Sequence, residues 1–269
     1  MVNSDQAITI KTSEEIEILF QANQIVSEVL DLLESRVVEG ISTFELDRLA
    51  ETCCCDHGAV PAFKDYRGFP ASLCASVNEE VVHGIPSKKK ILRQGDIVSL
   101  DFGVCYKGFY GDAAITVAVG TVAPEVALLI EVTKTALQRG IDQAKVGNRI
   151  SDISRAVQQH VEAHGFSVVR QFVGHGIGSQ LHEPPEIPNF CQHRQASPRI
   201  LEGMVLAIEP MVNIGGSKVK ILQDQWTVVT ADRKPSAHFE HSVAVGSQGT
   251  RILSMKPSSG AVRTAAKKT

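Results

Sequence analysis

Two carboxylates stand inside the most apolar stretches of this 269-residue chain. Asp101 is embedded in Ile97-Val98-Ser99-Leu100-Asp101-Phe102-Gly103, and Glu209 follows directly on Val205-Leu206-Ala207-Ile208. Segments of this composition go to the interior, where an isolated charge is costly. Each acid therefore needs a cation, a hydrogen-bond network or a raised pKa. A fold for this chain has to meet that need on two separate strands.

Further polar residues share the problem. Ile97–Cys105 and Tyr110–Val119 read as strands, and Lys107-Gly108 between them reads as a hairpin turn. Pairing about Lys107 brings Asp112 close to Asp101 on one face. Two like charges that close are unstable unless something positive lies between them, and a divalent metal is the simplest answer. His175 sits in Gly174-His175-Gly176-Ile177-Gly178, where glycines let the backbone pass close to a site, and Glu240 lies in Ala237-His238-Phe239-Glu240-His241. Taken singly, each has an ordinary explanation. The aspartates suit a turn or an edge strand, His175 suits a hydrogen-bonded partner, and Glu209 before Pro210 suits a strand end. Five such explanations holding together is the harder assumption. One imidazole and four carboxylates are too oxygen-rich for a tetrahedral structural zinc site and suit a dinuclear hydrolytic centre with bridging carboxylates. His83 and His182 are left as unliganded imidazoles, able to exchange protons or donate to an oxyanion.

The surrounding pattern is α+β. Thr12 with Glu15 and Ser42 with Glu45 have capping-box spacing, and they open helices that end at Gly40 and Gly58. Helices return from Pro124 to Gly140 and from Ser151 to Gly165. Strands are expected at Ser72–Val77, Ser167–Phe172, Met204–Ile208, Gln225–Thr230 and Ala237–Val245. The order helix, helix, strands thus occurs twice and reads as an antiparallel sheet backed by helices. No linker composition divides the chain, so residues 1–254 are expected to form one domain, with 255–269 a disordered basic tail. Twenty-seven basic against 30 acidic residues give a net charge of −3, which argues against a nucleic-acid partner. No run approaches the ~18 apolar residues of a membrane span. The opening Met1-Val2-Asn3-Ser4-Asp5-Gln6 carries neither the basic nor the apolar region of a secretory leader, so the cytoplasm is the expected compartment. The six cysteines form no Cys-x2-Cys pair, and the triplet Cys53-Cys54-Cys55 reads as small buried thiols on a helix.

In order along the chain, the motifs resemble those of the type I methionine aminopeptidases. They are Phe63-Lys64-Asp65-Tyr66-Arg67-Gly68-Phe69-Pro70, Ser76-Val77-Asn78-Glu79, Val82-His83-Gly84-Ile85-Pro86, Asp96-Ile97-Val98-Ser99-Leu100-Asp101 and Gly111-Asp112-Ala113-Ala114. Gly174-His175-Gly176-Ile177-Gly178, Leu181-His182-Glu183-Pro184-Pro185, Ile208-Glu209-Pro210, Trp226-Thr227 and Phe239-Glu240-His241-Ser242 follow. The resemblance implies a pita-bread fold, two pseudo-symmetric halves clasping two divalent metal ions (cobalt, manganese, iron(II) or zinc). It assigns Asp101, Asp112 and Glu240 to one ion and Asp112, His175, Glu209 and Glu240 to the other. It implies removal of the initiator methionine from nascent polypeptides near the ribosome exit, by a monomer that binds neither membrane nor nucleic acid. Peptides with a small second residue are the expected substrates.

In that picture Glu209 is the general base, His182 stabilises the oxyanion, and His83 contacts the region of the scissile amide nitrogen or hands over a proton. Phe63, Tyr66, Phe69, Cys74, Leu181 and Trp226, together with His83 and His182, surround the substrate. Two of these depart from the family pattern: Phe63 stands where many bacterial members carry cysteine, and Leu181 where an aromatic is common. The chain resembles the compact bacterial or organellar form. The rivals are an Xaa-Pro aminopeptidase of the same fold, whose relatives carry a large extra N-terminal domain, and a non-catalytic pita-bread module, which loses metal ligands.

Overall fold

Reciprocal caps start the two N-terminal helices. In each, the cap hydroxyl accepts from the third helical N–H while that residue's carboxylate accepts from the cap N–H. Thr12 and Glu15 do this for α1 (Ser13–Arg36), and Ser42 and Glu45 for α2 (Thr43–Asp56). The helix expected to reach Gly40 ends after Arg36, because Val37 turns extended and tucks its side chain into the core. Of the cysteine triplet on α2 only Cys54 is buried; Cys53 is half-buried and Cys55 exposed, contrary to expectation.

This computed structural model describes residues 7–191 and 197–255, so the expected tail beyond Met255 lies outside the described residues. After α2 come β1 (Val60–Pro61), β2 (Cys74–Val77), β3 (Glu80–Val82), β4 (Ile97–Tyr106) and β5 (Phe109–Ala118). Helices α3 (Pro124–Ile141) and α4 (Ile150–Ala163) follow, then β6 (Ser167–Val168), β7 (Val173–Gly176) and β8 (Glu183–Pro188). The chain continues through β9 (Val205–Ile208), β10 (Met211–Asn213), β11 (Val219–Ile221) and β12 (Val228–Thr230). It closes with β13 (Ser236–His238), β14 (Glu240–Gly246) and β15 (Gly249–Ile252).

The main sheet runs β1-β4-β5-β14-β9-β7-β8, with β2 beside β4 and β15 beside β14, and its pairings are antiparallel. One face carries the helices. Val98, Leu100, Phe102 and Val104 pack with Val26, Val29, Leu33 and Leu46 of α1 and α2. Across the β5–β14 seam, Leu206, Ile208, Val243 and Val245 pack with Leu137, Ile141, Ile150 and Ile153 of α3 and α4. Each half thus has its own helix pair on the same side of the sheet. The α+β reading, with an antiparallel sheet backed by helices, describes what is observed.

One expected strand is two. Ala237–Val245 alternates without interruption in sequence, yet it breaks at Phe239. Ser236–His238 pairs with Met211–Asn213 in a small sheet, while Glu240 onward pairs with β5 and β9 in the large one. The partner chain breaks at the same level, between Ile208 and Met211, so Glu209-Pro210 and Phe239 form a common corner. The strands expected at Ser167–Phe172 and Gln225–Thr230 are shorter, because only Ser167–Val168 and Val228–Thr230 find a ladder partner.

A buried ion pair ties the start of the described chain to β8. Lys11 Nζ lies 2.6 Å from Glu183 Oε2, with both side chains about 5% exposed. The Thr9 hydroxyl donates to the same oxygen, and the Gln180 N–H donates to the other at 3.1 Å. Removing one partner strands the other charge in the interior, so Lys11→Met should cost about 3–5 kcal/mol in urea unfolding. Lys11→Met combined with Glu183→Met should recover most of that loss. Equal losses in the single and double variants would show that the ion pair itself is not the source.

Candidate metal centre and active site

The other face of the sheet carries the acids. Asp101 pairs with Ala114 across β4–β5, and Glu240 pairs with the same Ala114 from β14. Asp112 stands opposite Gly103, two residues along, so it is a diagonal neighbour of both. The hairpin turn, with Lys107 and Gly108 both at positive φ, is centred between those two residues. The expected shared face therefore holds, while the direct rung is Asp101 to Ala114. On β9, Ala207 pairs with Ser242 on one side and with His175 on the other. Strand alternation then sets His175 and Glu209 on the face that bears Glu240. Gly174 and Gly176 flank His175 because a Cβ at either would collide with backbone, of Ala207 and Pro184 respectively.

Asp112, His175 and Glu240 each offer one atom, and these lie within 4.8 Å of one another. His175 Nε2 is 3.7 Å from Glu209 Oε1, and His238 Nε2 is 3.6 Å from Glu209 Oε2. Nδ1 of His175 donates to the Gly176 carbonyl at 2.9 Å, which leaves the Nε2 lone pair facing the acids. Asp101 Oδ1, Asp112 Oδ1 and Glu240 Oε1 are buried without a hydrogen-bond partner among the described residues. Burial, with the neighbouring Glu209 adding and His238 opposing, pushes the Asp101 carboxyl up to about 7. Burial does the same for Glu209, again to about 7, against the pull of His175. Asp112 and Glu240 are driven well above the carboxylate range by burial and by the other acids. Unpartnered oxygens converging with one imidazole lone pair fit a divalent cation, which supplies the missing positive charge.

Asp112 is also clamped through its backbone. Asn23, buried on α1, accepts from the Asp112 N–H at 3.3 Å, and the Ser242 hydroxyl donates to its carbonyl at 2.8 Å. In sequence Asn23 passes as one more position in the apolar stripe of α1. His238 likewise escaped notice, although it lies two residues before Glu240 in the same motif.

A cavity of about 590 Å³ opens above these residues. Its lining includes all five acid and imidazole groups expected to bind metal, and also His83, His182, Phe63, Tyr66, Phe69, Cys74 and Trp226. Leu181 is buried in the apolar layer behind the wall with Phe63, Phe69 and Cys74 and does not line the cavity. Trp226 meets Phe69 edge-on at 5.2 Å. Phe63 lies over Gly103, where an added Cβ would sit 2.8 Å from its ring. The far side, which the sequence did not suggest, is formed by Arg170, Phe172, Phe190 and Met211 among others. Tyr66 Oη lies 2.8 Å from His182 Nδ1, and His182 stands 4.3 Å from the His175 ring. Burial, then the charges of His175 and Arg67, lowers the His182 pKa to about 2, and burial with His238 lowers that of His83 to about 4. Both imidazoles are therefore neutral.

Residues 17–247 match the model of metallopeptidase family M24. Over 248 residues the chain is 52% identical to a methionine aminopeptidase of Clostridium perfringens, covering 92% of this chain and 99% of that one. The chain belongs to the methionine aminopeptidases of family M24. It is thus a metal-dependent aminopeptidase, and the pita-bread fold is its fold. A crystal structure of the methionine aminopeptidase of Thermotoga maritima superposes with a TM-score of 0.90 at 41% identity, covering 93% of this chain and all of that one. An Xaa-Pro dipeptidase from Bacillus anthracis shares the fold at a TM-score of 0.74 and 25% identity, but this M24 chain covers only 62% of it.

Crowded acids weaken the metal-free protein. Asp112→Asn should raise its stability by about 0.5–2 kcal/mol, because one buried acid is removed from the cluster. The same variant should lose the stabilisation that metal confers, about 2.7 kcal/mol for one site at 100 times its Kd. Calorimetry with and without metal checks both signs. A variant that is less stable without metal, or that still responds fully to it, would contradict the charge argument.

Proposed function

We propose that this chain removes the N-terminal methionine from new polypeptides at a two-metal centre and favours a small second residue. The observation that carries the reading is one rung of the sheet. Cys74 on β2 pairs with Asp101 on β4, so the apolar wall begins one strand spacing, about 5 Å, from the acids. A first side chain seated among Tyr66, Phe69, Cys74 and Trp226 leaves its own carbonyl over those acids. Methionine suits the wall, since its unbranched thioether packs well against ring edges.

Asp101, Asp112 and Glu240 would hold one ion, and His175 and Glu209 would join Asp112 and Glu240 around the second. Divalent metal there supplies Lewis acidity for the scissile carbonyl and for water, and a set this rich in oxygen accepts cobalt, manganese, iron(II) or zinc. Glu209 takes the proton from the attacking water. The Tyr66 phenol donates to Nδ1 of His182, which leaves the Nε2–H of a neutral ring to meet the developing oxyanion. His83, held edge-on between Phe172 at 5.5 Å and Trp226 at 6.1 Å, faces the leaving amide nitrogen. The natural substrates are polypeptide N-termini emerging from the ribosome, met in the cytoplasm by a monomer. No helix among the described residues is long and apolar enough to cross a membrane. The Xaa-Pro alternative is disfavoured because the chain is far more similar in sequence to methionine aminopeptidases than to the Xaa-Pro dipeptidase, and the non-catalytic one because all five acid and imidazole groups are intact.

Peptide series test the pocket. Met-Ala should be cleaved over Leu-Ala by about 1–3 kcal/mol in kcat/KM, the discrimination one apolar pocket gives, and Lys-Ala should fail. Comparable rates for all three, or preference for an Xaa-Pro peptide, would refute the assignment. His182→Ala should keep its metals and lose about 10²–10³-fold in kcat. Tyr66→Phe, which removes one orienting hydrogen bond, should lose roughly 2–12-fold. Loss of metal from His182→Ala would make it a ligand.

A further inference from the structure

One imidazole at the site has no part in the reaction described above. His238 is 1% exposed, and neither of its ring nitrogens has a hydrogen-bond partner among the described residues. Buried polar groups are rarely left so, and an exception calls for an explanation. The position is also purposefully built. The Thr116 hydroxyl accepts from the His238 N–H at 2.9 Å and donates to the His238 carbonyl at 2.8 Å. Ser99 Oγ meets that hydroxyl at 2.8 Å, which completes a buried polar chain from β4 through β5 to β13. Two strands of the first half thereby fix a residue at the corner where β13 gives way to β14.

What the ring meets there is Glu209. Nε2 of His238 is 3.6 Å from Oε2, while the other oxygen, Oε1, is 3.7 Å from Nε2 of His175. Glu209 therefore stands between two imidazoles of different status. The Nδ1–H of His175 is committed to the Gly176 carbonyl, so its Nε2 has only a lone pair to offer. His238 has no such anchor and is free to turn an N–H toward the carboxylate. A ring so placed can act as a donor to the carboxylate.

We propose that His238 is a positioning residue of the metal centre, donating its Nε2–H to Oε2 of Glu209 so that Oε1 alone is presented beside His175. This rests on the reading of Glu209 as a metal ligand. The 3.6 Å separation is longer than a formed hydrogen bond, and active-site bonds of this kind tighten when the site fills. A carboxylate with one oxygen held back binds through the other, which fixes where its ion sits. Partners of this kind typically change metal affinity 10–100-fold.

The test uses the full chain loaded with metal. In zinc-loaded protein carrying ¹⁵N-histidine, the NMR signals of His238, assigned by their loss in His238→Gln, should show a protonated Nε2 and a bare Nδ1. An Nδ1–H tautomer, or an Nε2 bound to zinc, would overturn the proposal. Cobalt titration supplies the second measurement. His238→Leu should weaken the affected ion about 10–100-fold and alter the visible cobalt spectrum, while His238→Gln, which keeps an N–H donor, should stay within about threefold. Unchanged affinity and spectrum in His238→Leu would reduce the ring to filler. A loss beyond about 10³-fold in both variants would make it a ligand, and either result overturns the positioning role. Glu209→Ala is the control for the reading beneath it. If that variant binds cobalt as the parent does, the ligand assignment of Glu209 falls, and the proposal with it.

Discussion

Four carboxylates with little access to water repel one another, and the rest of the molecule is arranged to hold them together regardless. Three sit on the rungs of an antiparallel seam, with Asp101 and Glu240 on either side of Ala114 and Asp112 diagonal to both. A loop would splay under such a load. A sheet backed by two helix pairs does not, because moving any one acid would disrupt the ladder and the core beneath it. The small residues between them, Ala114 and Ala207, leave the space over which the longer side chains converge. The clamp on Asp112 from Asn23 and Ser242 draws on both halves of the fold.

That arrangement explains what the sequence disclosed. Asp101 and Glu209 were conspicuous because both faces of their strands are buried, the helix face by Leu100, Phe102, Leu206 and Ile208 and the other by the site. A two-residue turn at Lys107-Gly108 fixed the register well enough to put Asp101 and Asp112 on one face. Helix starts were legible for a local reason, since a capping box is written within four residues. The membership in family M24 was carried by short motifs in order, which needed no knowledge of how they meet.

What stayed hidden was non-local. Alternation in Ala237–Val245 gives no sign that the chain changes sheets at Phe239, because the cause is a partner strand some thirty residues earlier that turns the same corner. The strands β7, β8 and β10 are too short, or too rich in glycine and proline, to carry a pattern of their own. His238 was overlooked since a histidine two residues from a ligand candidate, Glu240, looks like part of the same motif. What sets it apart is a buried ring with no hydrogen-bond partner among the described residues. Leu181, assigned to the wall by likeness, is buried in one apolar cluster with the wall residues Phe63, Phe69 and Cys74.

The contact of Phe63 with Gly103 ties the width of the pocket to the backbone of the sheet. A Cβ at position 103 would come within 2.8 Å of the ring and 3.2 Å of the Ala62 Cβ. The ring keeps its place in the cavity wall because the strand beneath it carries no side chain at that point. Enlarging position 103 would press on the wall from below and reshape the pocket while leaving every residue that faces the substrate in place.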